Sequence, residues 1–548
     1  MDHAPRRLPI GAEIIKERGV HFRVWAPIVE HLEVVLEEKG SSYPLIKDEQ
    51  GYFSGLIQEA ATGSLYRFRI EGDDLLYPDP ASRFQPQGPH GPSQVIDPSS
   101  YEWSDLHWKG VSFSNRIIYE MHIGTFTHEG TWQSAKRELL ELADLGINII
   151  EMMPVNEFPG KFGWGYDGVN LFAPTNNYGK PDDLRSFIDH AHCLGIAVIL
   201  DVVYNHFGPD GNYLNVFTPH YFTHQLSTEW GDAIHFDGPD SKEVRTFFIA
   251  NARYWIDEYH FDGLRLDATQ NIYDKSSPHI LAEISQQVRQ AAAGRQTYLI
   301  AENETQDTRH LLPIEKGGYG FDAVWNDDFH HSAHVRLTGK REAYLIDYLG
   351  TAQEFISAIK YGYLYQGQWY LWHKKNRGAP SFHLNPSAFV TFFQNHDQIA
   401  NSAHGLRIHH LSDPGNYRAM TALLLLAPGS PMLFQGQEFA ASSPFYYFAD
   451  HHEELAKLVF QGRRECFKRF ACLSTPEIQA SLPEPADPET FMKCKLNYLD
   501  RENHPHEYAL HRDLLKLRKN DDVFNHPQLS GIDGAVLNAD AFVMRYFG

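Results

Sequence analysis

Between residues 116 and 436 eight short apolar runs recur: "RIIYEMHIG", "INIIEMMPV", "IAVILDVVY", "FDGLRLDA", "QTYLIAE", "GFDAVWN", "AFVTFFQNH" and "SPMLFQG". Each has the length and the apolar content of a buried strand. Segments of helical period lie between them, such as "TWQSAKRELLELADLG", "PDDLRSFIDHAHCLG" and "SKEVRTFFIANARYWIDEYH". Two of these stop at Gly146 and Gly195, a common helix ending. Eight strands alternating with helices is the arithmetic of an α/β fold of the (β/α)8 TIM-barrel type. An open doubly wound sheet alternates in the same way. The count of eight, and the lack of a GxGxxG turn after any strand, argue against it.

The flanks have a different character. Residues 1–100 hold "GVHFRVWAP", "HLEVVLEE" and "SLYRFRIEG", which predict an N-terminal β-sandwich. The stretch 77–95 carries five prolines, so it is neither helix nor central strand. Tyr77, Phe84 and Val95 give it something to pack, which predicts an ordered connector. The expected domains are therefore 1–100, a catalytic barrel over 101–450, and 451–548. That last region is expected to be a helical extension, with a helix over 506–520, and a partial β-domain. Its final "GAVLNADAFVMRYFG" resembles two strands of a domain that never closes, as if truncated.

Charge narrows the partners. A net charge of −22 disfavours nucleic acid and anionic membrane, which both need clustered cations, but does not repel a neutral sugar. No apolar run is long enough to span a bilayer, because "TALLLLAPG" ends at Pro428 and Gly429. The first residues, "MDHAPRRLPIGAEII", lack the apolar stretch of a secretory leader. Cys193, Cys466, Cys472 and Cys494 form neither a CxxC pair nor a zinc spacing, which fits thiols in a reducing cytoplasm.

One run stands out. In "YHFDGLRLDATQNI" Leu264, Leu266 and Ala268 alternate with Arg265 and Asp267, so one face of an apolar strand carries a cation and a carboxylate. In a barrel, chemistry collects where strands end. Those ends supply Asp201, Asn205 and His206 after strand three, and Arg265 and Asp267 at strand four. Strand five supplies Glu302, and strand seven His396 and Asp397. Three carboxylates so far apart in sequence meet only through the fold. Glycoside cleavage needs such a set: one acid to protonate the leaving oxygen, one carboxylate to attack or to activate water. A neighbouring arginine keeps a carboxylate ionised.

Four stretches, "ILDVVYNH", "GLRLDA", "LIAENE" and "FFQNHDQ", together resemble the signature regions of the α-amylase superfamily, the retaining α-glucan barrel enzymes. The N-terminal domain is similar to the sandwich that precedes the barrel in branching and debranching members. Within the superfamily, 77–95, 326–348 and 436–451 resemble the malto-oligosyltrehalose trehalohydrolase family. That resemblance implies hydrolysis of the α-1,4 bond beside the terminal trehalose of a malto-oligosyltrehalose. It implies Asp267 as nucleophile, Glu302 as acid and then base, and Asp397 as the carboxylate that holds the distorted sugar. Arg265, His206 and His396 would surround the same glucose, with Tyr166 as its stacking platform. Asp201 and Asn205 would support the site, Asp201 by orienting Arg265. Asp327, His330 and His331 in "DDFHH", with Gln398 and Asn401, would contact substrate.

One position departs from the commoner amylase pattern. Where a Lys-His pair often follows the nucleophile, this chain has "DATQNI", and the Gln270 amide could donate to and accept from a sugar hydroxyl. The loop after strand three is expected to be short, with helix resuming near Ser241. The calcium-binding insertion of many amylases is then absent, and neither a metal nor an organic cofactor is expected. Oligomeric state stays open between monomer and homodimer. Two alternatives stand beside this reading: a branching or isoamylase-type debranching enzyme on the same carboxylates, and a non-catalytic glucan-binding protein. The second would be expected to have lost one of the three carboxylates.

Overall fold

The eight apolar runs become eight strands: β1 (Ile118–Met121), β2 (Ile149–Met152), β3 (Ala197–Val202), β4 (Gly263–Leu266), β5 (Tyr298–Ala301), β6 (Ala323–Trp325), β7 (Phe389–Thr391) and β8 (Ser430–Phe434). In the computed structural model, which describes residues 6–38, 40–112, 116–525 and 531–547, they form one closed barrel in chain order. Pairing is parallel: Ile118 stands opposite Ile149, and closure brings Ile118 opposite Met432 on β8. Every residue of these strands is buried. Parallel strands covered on both faces need apolar residues throughout, so a polar side chain there demands a reason.

By internal contacts the chain divides into two compact units, and the division runs through the barrel. One comprises residues 1–108, 154–189 and 200–297; the other comprises 109–153, 190–199 and 298–548.

In the first unit the N-terminal strands form two antiparallel sheets. One contains Gly19–Trp25 and Tyr52–Ile57, the other Leu32–Leu36 and Leu65–Ile70. Val20, Phe22, Val24, Val34, Phe53 and Phe68 fill the core. The proline-rich connector is ordered by polar contacts: Tyr66 donates to the buried Asp79 at 2.7 Å, and Arg83 pairs with Glu258 at 3.2 Å. The segment after β3 differs from expectation. It is not short: it holds a helical turn, Leu214–Phe217, and a hairpin, Phe222–Thr228 with Gly231–Ile234, before the helix Ser241–Glu258. The exposed residues of its first strand, His224, Gln225, Leu226 and Ser227, show no apolar alternation, so the hairpin leaves no strand signal in the sequence.

In the second unit, the helical stretch 131–146 splits at Glu138 into Trp132–Arg137 and Leu139–Leu145. Gly146, at φ 110°, makes the left-handed turn that ends it. The helix Pro505–Asn520 forms as expected. A hairpin of Ile532–Asn538 and Ala541–Tyr546 sets Phe542 in a stack with Phe355. The first five residues of the N-terminal stretch considered above, and the final Gly548, lie outside the described residues. Among the described residues no helix is long and apolar enough to cross a membrane.

Candidate active site

The cation and carboxylate of the fourth strand do point the same way. Nη1 of Arg265 lies 2.6 Å from Oδ2 of Asp201, off β3, and 3.0 Å from Oδ1 of Asp267. Arg265 and Asp201 are fully buried, whereas Asp267 keeps a partly open edge. Asn205 closes the other side of Asp267, donating from Nδ2 to Oδ2 at 2.7 Å and to the carbonyl oxygen at 2.9 Å. The Asp267 amide donates to Val202 O at 3.1 Å, and Ala268 turns left-handed at φ 40°. For a residue with a Cβ that conformation costs energy. It bends the chain sharply after Asp267.

Electrostatics follow from this packing. Burial pushes the Asp201 carboxyl up to about 6, with the Arg265 guanidinium opposing the rise. Tyr166 donates its hydroxyl to Asp201 Oδ2 at 2.5 Å. Nδ1 of His206 meets Asn205 Oδ1, and its Nε2 lies 3.1 Å from Tyr166 O. Burial holds the His206 ring below its ordinary pKa, so it favours the neutral form. Trp230, from the turn of the hairpin, lies parallel to that ring at 4.8 Å while remaining 60% exposed. Gln270 sits in the turn Thr269–Asn271 just beyond Asp267, partly exposed.

In the second unit Glu302 stands immediately after β5 and is partly exposed. In the same unit Asp397 lies on the short helix His396–Ala400, its side chain 46% exposed. His396 stands beside Asp397, Nε2 to Oδ2 at 3.8 Å. Its other nitrogen, Nδ1, meets Oε1 of Glu120 at 2.5 Å, and its amide donates to Oε2 at 3.2 Å. Gln398 accepts from the Tyr344 hydroxyl at 2.9 Å. Asn401 caps the same short helix, its amide donating to Asp397 O at 2.8 Å.

Asp327 opens the helix Asp327–Thr338. Burial raises its carboxyl to about 7, against the pull of Arg377 at 3.5 Å. Neighbouring Asp328 is buried between Arg377 (3.4 Å) and the Tyr348 hydroxyl (2.6 Å). His330 and His331 are buried too, and burial holds both rings well below the ordinary histidine range. His330 stacks on Phe392 and lines a pocket with Gln398 and Asn401; His331 packs between Tyr344 and Tyr348.

Comparison with known proteins fits this arrangement. Residues 96–230 match the model of the alpha amylase catalytic domain, and 9–98 that of carbohydrate-binding module 48, the isoamylase N-terminal domain. The malto-oligosyltrehalose trehalohydrolase of Deinococcus radiodurans is 38% identical over 543 residues, covering 98% of this chain and 87% of the relative. That of Saccharolobus solfataricus is 40% identical, covering 92% and 86%. The chain belongs to the malto-oligosyltrehalose trehalohydrolase family of the α-amylase superfamily. A Salmonella typhimurium protein described as an alpha amylase superposes with a TM-score of 0.89 at 39% identity, covering 97% of this chain and 89% of that one. The type I pullulanase of Bacillus subtilis, at 18% identity, 98% and 76% coverage and a TM-score of 0.71, shares the fold.

For a trehalohydrolase-family chain, two side chains beside the signature regions escaped the sequence reading. Glu120 left a signal, since it is a carboxylate inside the apolar run "RIIYEMHIG", the same anomaly that exposed Arg265 and Asp267. Trp230 left none, because only the course of the hairpin brings it to His206.

Proposed function

We propose that this chain cleaves the α-1,4-glucosidic bond next to the terminal trehalose of a malto-oligosyltrehalose and frees trehalose, with net retention at the anomeric carbon. The observation that carries the substrate is identity of 38% and 40%, over nearly the whole chain, to relatives named for that reaction. The chemistry is supported by the clamp of Arg265 and Asn205 on Asp267. Two donors on its oxygens favour the ionised carboxylate, the form a nucleophile needs.

In the first step an Asp267 oxygen bonds to the anomeric carbon while the bond to the trehalose oxygen breaks. Glu302 gives that oxygen its proton. In the second step Glu302, now a carboxylate, takes a proton from water, and the water oxygen displaces Asp267. Asp397, steadied by His396, holds sugar hydroxyls of the distorted ring. Tyr166, His206 and Gln270 border the same sugar, while Asp327, Gln398 and Asn401 serve the trehalose side; His330 and His331, buried against Phe392, Tyr344 and Tyr348, support that side from within. The substrate is a neutral oligosaccharide, so no cofactor is required. All four cysteines are thiols, with Cys466 exposed, which supports a cytoplasmic setting.

Product analysis with a malto-oligosyltrehalose and plain maltoheptaose tests the reading. Free trehalose from the first, little change in the second and a silent Asp267→Asn support it. Branched or shortened maltoheptaose without trehalose release would instead assign the chain to branching or general amylase chemistry.

A further inference from the structure

Arg463 lies on the helix Glu453–Phe467, which follows the eighth barrel strand and belongs to none of the signature regions. Its Nη2 donates to the carbonyl oxygen of Ala400 at 3.0 Å. Ala400 ends the five-residue helix whose second residue is Asp397. The guanidinium is flanked by aromatic rings, 4.7 Å from the centroid of Tyr447 and 5.0 Å from that of Phe467. Among the described residues no carboxylate lies within ion-pair distance of it. Burial works against its charge, and the fields of Tyr447, Asp397 and Cys466 oppose that effect.

A neutral donor would satisfy one carbonyl, whereas a partly buried guanidinium carries a desolvation cost that a carbonyl bond and two ring faces only partly offset. The cost is explained if the charge has work to do nearby. We propose that Arg463 is a positioning residue for Asp397, tying the helix after the barrel to the end of the short helix that carries that carboxylate and setting a cation there. The helix Glu453–Phe467 is then part of the active site rather than an accessory. This inference rests on the role proposed for Asp397, not on the identity of the leaving sugar.

The test uses the full chain and whichever α-1,4-glucan the wild type cleaves, so a wrong substrate would not mask the result. Arg463→Lys keeps charge and donor; Arg463→Gln keeps a donor and loses the charge; Arg464→Met on the exposed side of the same helix is the control. Thermal melting confirms that each is folded. For Arg463→Gln kcat should fall about 10–100-fold with KM within about threefold, and Arg463→Lys should stay within about fivefold of wild type. In an Asp397→Asn background the Gln substitution should cost nothing further, since the effect passes through Asp397. Equal activity of the Gln and Lys variants would reduce Arg463 to a structural tie and overturn the proposal, as would an undiminished effect without Asp397. Failure to release trehalose from a malto-oligosyltrehalose would overturn the substrate reading alone.

Discussion

Arg265 and Asp267 stand two residues apart and their side chains meet at 3.0 Å, Nη1 to Oδ1, off the end of the fourth barrel strand. The same nitrogen reaches Asp201 at 2.6 Å. Lysine at 265 would offer a compact, more strongly hydrated ammonium on a shorter, flexible stem, so its Nζ would fall short of the point where Nη1 meets both carboxylates. Arg265→Lys is therefore expected to lower kcat/KM by about 10²-fold. It should also lower the melting temperature, because Asp201 is left buried beside a poorer partner. Unchanged kinetics with a lowered melting temperature would confine the arginine to stability.

Glu120 acts one step from the chemistry. It fixes the His396 ring from Nδ1 and the backbone amide, so that Nε2 faces Asp397. Glu120→Gln keeps the size and one acceptor but loses the charge that favours a protonated Nδ1. The expected result is a fall in kcat of about 10–100-fold, with folding intact by circular dichroism. Wild-type turnover would show that His396 needs no such anchor.

What the sequence made legible follows from where burial is two-sided. Strands covered on both faces must be apolar throughout, so all eight were visible as runs, and Arg265 and Asp267 stood out against that background. Glu120 was legible by the same rule. The hairpin 222–234 was not, because its first strand is largely exposed with no apolar alternation and only Ala233 and Ile234 of the second are buried. Neither could sequence place Arg377 between Asp327 and Asp328, since a surface-like "HKKNRGAP" conceals a guanidinium that is buried only after its loop folds back. The placement of His330 was likewise hidden. Adjacent histidines in a polar run look exposed, whereas the helix Asp327–Thr338 turns them inward.

Trp230 offers a large aromatic face over His206 with most of its own surface open. Aromatic rings bind sugars through their apolar faces, and an exposed one adds little to folding. Trp230→Ala should raise KM for long glucans about 3–10-fold and leave the melting temperature within about 2 °C. Titration of tryptophan fluorescence with a non-hydrolysed glucan on the Asp267→Asn background would report the same contact. No change in KM and no fluorescence response would remove Trp230 from the site.

Glu157 gives the chain a pH signature independent of catalysis. It is buried, and accepts from the Asn176 amide at 2.8 Å and from its side chain at 3.1 Å. Burial nevertheless raises its carboxyl from 4.5 to about 8. Below pH 4.5 the group is neutral folded or unfolded. From there to about 8 the unfolded chain releases a proton that the folded chain retains, so this group's contribution to stability is lost as pH rises through that window. Glutamine keeps the shape and the acceptor without the ionisation. Glu157→Gln should melt close to wild type near pH 4.5 and gain over it progressively up to about pH 8, reaching a few kcal/mol (~3–5). Denaturant melts of both proteins across that range measure the difference directly. A difference that stays constant with pH would mean that the Asn176 donors already keep Glu157 ionised in the folded state.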